Sequence, residues 1–100
     1  MSAYQVNKLC RECLQDPELR ARLLTDPDAV LAQLPLSEKE RVALLTGDVA
    51  ALYRAGASAF LLSYLPRWGL FGLDVPTYSG RMRAANDPQT RHERSAAHPL

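Results

Sequence analysis

Apolar residues recur every third or fourth position along much of this chain, which is the spacing of amphipathic helices. Val6, Leu9, Cys10, Cys13 and Leu14 form the first stripe and predict a helix from about Ala3 to Gln15, with Lys8, Arg11 and Glu12 outside the stripe. Leu19, Leu23 and Leu24 form the next, then Val30, Leu31 and Leu34. Val42, Ala43 and Leu45 are expected to face inward with Arg41 outward. Val49, Leu52 and Tyr53 share a face, and Phe60, Leu61, Tyr64 and Leu65 supply the apolar surface of a further helix. No segment alternates with period two over a useful length, so no sheet is expected.

The breaks between stripes carry helix-start and helix-stop chemistry. Asp16-Pro17 and Asp26-Pro27 each pair a capping carboxylate with a proline at the first helical position, where a missing amide hydrogen costs nothing. Ser37 and Glu40 have the spacing of a capping box. Asp48 caps a helix beginning at Val49, Gly56 suits the left-handed residue that closes it, and Ser58 opens the next. Pro66 is expected to end that helix, leaving Arg67–Gly72 as a short apolar loop. Asp74 and Pro76 start one more short helix through Tyr78 and Met82. From Arg83 onward large apolar residues nearly vanish, and a mobile tail is expected. The fold class that follows is all-α: a compact orthogonal domain of five to six short helices over residues 1–84, with a flexible, disordered polar tail over 85–100.

Composition narrows the function. A chain of 100 residues makes one small domain that buries roughly two thirds of its unfolded surface. That is enough for one core, and not for a core plus a deep active site. The net charge of +1 gives no electrostatic case for nucleic acid or an anionic membrane. Residues 1–76 carry eight basic and nine acidic side chains, and residues 77–100 carry four and two. No run of about 18 apolar residues exists, so no membrane span is expected, and the N-terminus lacks a basic-then-apolar signal pattern. A cytoplasmic location is the default expectation.

Catalytic chemistry needs converging acids, bases, nucleophiles or metal ligands. The histidines, His92 and His98, lie in the polar tail, and the carboxylates Asp16, Asp26, Glu40 and Asp48 are accounted for by capping. There is no phosphate loop and no nucleophile elbow. Cys10 and Cys13 have the C-x-x-C spacing of redox and zinc motifs. They lie inside a predicted helix with no strand before them, and two reduced core thiols fit better. Arg81 and Arg83 read as a solvated face, with a partner or phosphate contact as the alternative. The aromatic stretch stands apart. Tyr64, Trp68 and Phe71 either fold back on the core or stay exposed for an interface, where aromatics with a neighbouring Arg, here Arg67, are enriched.

Three segments taken in order carry a resemblance. YQVNKL at Tyr4–Leu9, PLSEKERVALLTGDVAALYRAG at Pro35–Gly56 and SAFLLSYL at Ser58–Leu65 resemble the small (alpha) subunit of protocatechuate 4,5-dioxygenase, over about residues 4–84. The resemblance implies a class III extradiol, aromatic-ring-opening dioxygenase complex. Its large (beta) subunit carries non-haem Fe(II) on two His and a carboxylate, and its helical small subunit covers the mouth of that active site. This chain is then expected to have no catalytic residue, metal ligand or cofactor of its own. Its partner-binding or lid residues are expected to be Arg67, Trp68, Leu70 and Phe71, in the segment that follows the FLLS helix, together with Tyr64 of that helix. The alternative from a different class is a stand-alone helical module that binds a protein or peptide without a dioxygenase partner.

Overall fold

A computed structural model describes residues 3–86, and all of its regular structure is helical. The helices are α1 (Tyr4–Gln15), α2 (Pro17–Thr25), α3 (Pro27–Ala32), α4 (Glu38–Thr46), α5 (Val49–Arg54), α6 (Ala59–Leu62), α7 (Tyr64–Trp68) and α8 (Val75–Asn86), with a 3-10 turn at Leu70–Gly72 between the last two. The all-α reading holds. The tail expected to be disordered lies, from residue 87 on, outside the described residues.

The capping code is realised atom by atom. The Asp16 carboxylate accepts from the Glu18 and Leu19 amides, and Asp26 from the Ala29 amide. At α4 both halves of the capping box are present: the Glu40 amide donates to Ser37 Oγ at 3.1 Å and the Ser37 amide to Glu40 Oε1 at 2.9 Å. Asp48, Ser58 and Asp74 accept from the amides of Ala51, Leu61 and Thr77. The bonds from the Thr77 side chain and amide also hold the Asp74 carboxyl below its ordinary range. Gly47 closes α4 in the left-handed conformation, φ 68°.

One core gathers these short helices. Val6, Leu9, Cys10, Cys13, Leu23, Leu31, Leu44, Val49, Leu52, Leu62, Leu65 and Leu70 are all buried in it. α8 packs chiefly on α5. α1 is tied to the start of α6 by the Ser58 amide, which donates to Asn7 Oδ1 at 2.8 Å.

Four expectations need correction. The helix expected over Ser58–Leu65 breaks at Ser63, and Pro66 lies inside α7 rather than after it. A proline has no amide hydrogen for the carbonyl four residues earlier, here Leu62, so the interruption falls one turn before the proline. Pro66 itself occupies the first turn of α7, where no donor is required. Arg67 and Trp68 are consequently helical, and the loop shrinks to Gly69 and the 3-10 turn.

Second, the edges of the stripes turn outward. Leu14, Leu24, Val42 and Phe60 are exposed, while Leu44 and Leu62 take core positions. In helices of two to three turns the register is set by packing against neighbours, and a stripe of adjacent apolar residues leaves that register open. Third, the short helix expected through Tyr78 and Met82 runs on to Asn86 and buries Ala85. The next proline after Pro76 is Pro88, so nothing stops the helix earlier. Fourth, Arg81 is more than a solvated side chain. Its Nη1 donates to the carbonyls of Gly47 at 2.6 Å and Thr46 at 3.3 Å, so it caps the C-terminal end of α4.

Candidate functional site

The break at Ser63 joins α6 to α7 closely enough that residues four apart still stack. Phe60, Tyr64 and Trp68 form a ladder along one face. Phe60 and Tyr64 meet edge to face, with centroids 5.3 Å apart and planes at 89°. Tyr64 and Trp68 stack at 5.4 Å with planes at 24°. Four residues of helix advance by about 6 Å, so the centroid spacing is what a helix repeat imposes on side chains of this size. Such aromatic pairs are worth about 0.5–1.5 kcal/mol each beyond their burial.

Two guanidinium groups flank the ladder. Arg67 Cζ lies 5.1 Å from the Tyr64 ring centroid, and Arg20 Cζ, from α2, lies 5.2 Å from that of Trp68. Arg20 also donates through Nη1 to the carbonyl of Cys13 at the end of α1, which fixes its head against the indole. Phe60 is 65% exposed, Tyr64 and Trp68 are half-buried and Arg67 is exposed.

The turn after the ladder is tightly determined. Gly69 is left-handed, φ 68°, and so is Phe71, φ 56° and ψ 33°, the one non-glycine residue with positive φ among the described residues. A bulky residue in this region costs about 1 kcal/mol or more. The turn is held by packing that leaves little choice. Leu70 is fully buried, and Phe71 is half-buried against the core. A Cβ on Gly47 would lie 2.7 Å from the Phe71 carbonyl oxygen, so the end of α4 and the turn meet backbone to backbone. Arg81 holds the carbonyl of that same Gly47.

Of the expected partner-binding or lid residues, Tyr64, Arg67 and Trp68 are thus brought together on α7, Phe71 follows on the turn, and Leu70 lies beneath them in the core. Phe60 belongs to the ladder although it reads as a core residue. Its spacing of four from Tyr64 and of eight from Trp68 was the available signal. Arg20, Gly47 and Arg81 had none, because Arg20 meets Trp68, Gly47 meets Phe71 and Arg81 meets Gly47 only through the tertiary fold.

The remaining chemistry is sparse. Cys10 and Cys13 are free thiols buried in the core. Burial pushes the Cys10 thiol up to about 12, helped by the neighbouring Cys13, and pushes Cys13 up to about 11 against the opposing pull of Arg20. Both therefore stay protonated at neutral pH and are poor nucleophiles. Among the described residues no group of His, Cys, Asp and Glu side chains is arranged to hold a metal ion. These residues include no histidine, so they do not fit an iron site built on two His and a carboxylate. No helix among them is long and apolar enough to cross a membrane.

A family model described as aromatic-ring-opening dioxygenase LigAB, LigA subunit, matches residues 6–93. No curated protein and no solved structure matches the chain. The family match spans every helix described above except the first residues of α1, and it agrees with the resemblance carried by the Tyr4–Leu9, Pro35–Gly56 and Ser58–Leu65 segments. The chain belongs to the LigA subunit family of aromatic-ring-opening LigAB dioxygenases.

Proposed function

We propose that this chain is an accessory, non-catalytic subunit that docks on the large subunit of an extradiol dioxygenase and covers its active site. The docking face is the Phe60–Tyr64–Trp68 ladder with Arg67, continued by the Leu70–Gly72 turn. The observation that carries this reading is the ladder itself, in a chain of this family: large aromatic rings held in one fixed arrangement yet left partly open to solvent. Rings ordered in advance lose little entropy on binding and suit the buried centre of an interface.

In this reading the Fe(II) and the ring-opening chemistry belong to the large subunit. This chain's residues bind and exclude water, and move no proton. Phe71 sits at the edge of the face, where the left-handed turn projects it, and Leu70 anchors that turn from below. The complex is placed in the cytoplasm. Co-expression with a large subunit tests the proposal: the two chains are expected to co-elute, and the pair to open a catechol ring that this chain alone leaves intact. Stoichiometric iron and ring cleavage in the isolated chain would contradict it.

A further inference from the structure

Charge is divided unevenly across the fold. Residues 49–86 carry Arg54, Arg67, Arg81 and Arg83 against a single acid, Asp74, whose carboxylate is occupied in capping α8. Among the described residues the ion pairs are Lys8–Glu12 and Arg41–Glu38, and Arg11, Arg22, Lys39, Arg54 and Arg83 stand outside them as Arg67 does. Arg67 is set apart by its place on the aromatic face. It is exposed, it is held over Tyr64, and it has no carboxylate within ion-pair distance among the described residues. Arg20, over Trp68, gives one donor to the Cys13 carbonyl and is likewise without an ion pair among them. Of the acids nearest it in sequence, Glu18 is exposed and makes no ion pair among the described residues, and Asp16 is engaged by two backbone amides.

A guanidinium lying on a ring keeps its edge free, and its N–H groups match a carboxylate in a bidentate fork. We propose that the aromatic face is selective for an acidic surface, and that Arg67, with Arg20 behind it, receives carboxylate side chains on the rim of the large subunit. The apolar rings supply the buried centre and the arginines set the approach and register. This rests on the reading of the face as the docking site for a large subunit. Charge at the rim of an interface acts mainly on the association rate and its salt dependence, whereas the buried aromatic centre acts on dissociation.

The two are therefore separable in a kinetic experiment with the full-length chain and a purified LigAB-type large subunit. Association and dissociation rates are measured at low and high salt for wild type, Arg67→Glu, Arg67→Lys and Trp68→Ala, with circular dichroism confirming each fold. Wild-type association is expected to slow as salt rises. Arg67→Glu is expected to lower the low-salt association rate by roughly 10-fold and to flatten its salt dependence, Arg67→Lys to retain most of the rate, and Trp68→Ala to act on dissociation. Unchanged association rates and salt dependence in Arg67→Glu, with wild type still bound, overturn the acidic-surface proposal and leave the docking face standing. Absence of any wild-type complex overturns both. A dimer of the isolated chain that Arg67→Glu dissolves would assign the face to a second copy and overturn the proposal too.

Discussion

At the scale of single residues, Gly47 is the most constrained position. It is left-handed, and an added Cβ would lie only 2.7 Å from the Phe71 carbonyl oxygen. Gly47→Ala combines a conformational cost of about 1 kcal/mol with a backbone clash, and is expected to destabilise the fold by about 2 kcal/mol or more in chemical denaturation. An unchanged midpoint would show that the turn yields freely. The buried thiols give a second test. Their folded values, about 12 and about 11, lie above the ordinary 9.0. Their protonated forms are favoured by folding, so the contribution is complete below pH 9. It is lost as pH rises from there through the folded values, because unfolded thiols ionise first. Denaturation midpoints are expected to fall from neutral pH toward pH about 10, and to fall less steeply in Cys10→Ala. A pH-independent difference between the two chains would contradict the burial assigned to Cys10.

At the scale of elements, short helices depend on ties between them. Asn7 supplies the acceptor for the part-buried Ser58 amide, fifty-one positions away. Asn7→Ala leaves that donor unpaired and is expected to cost about 1–3 kcal/mol, with faster hydrogen exchange concentrated in α6. Uniform loss of protection would argue against a local tie. This scale also marks what the sequence made legible. Every predicted cap at Asp16, Asp26, Ser37, Asp48, Ser58 and Asp74 is made, because a cap is an interaction of residues two or three apart. The stripes were legible in their centres and not at their edges: Val42 faces solvent and Leu44 the core, since either register satisfies α4 alone. The tyrosine and tryptophan of the ladder were legible as interface candidates from their clustering. The kink that aligns them was misread, because a proline ends a helix or sits in its first turn according to what packs beneath it, and Pro66 is buried. Arg20 and Arg81 reach their partners only through the tertiary fold.

At the scale of the whole molecule, the fold is a frame of capped helices that presents one preordered aromatic face. The chain belongs to the LigA subunit family of ring-opening dioxygenases, and among the described residues no group is arranged to hold a metal ion. In the proposed complex this face, and no other part of the described surface, makes the contact. The most direct measurement is the dissociation constant of the chain for a LigAB-type large subunit, compared among wild type, Trp68→Ala and a control away from the ladder, the exposed Lys39→Ala in the first turn of α4, each checked for an unchanged melting curve. Trp68→Ala is expected to weaken binding by about 2 kcal/mol, roughly 30-fold, while the Lys39→Ala control binds as wild type does. Equal affinity of Trp68→Ala and wild type, or a loss confined to Lys39→Ala, would contradict docking through this face.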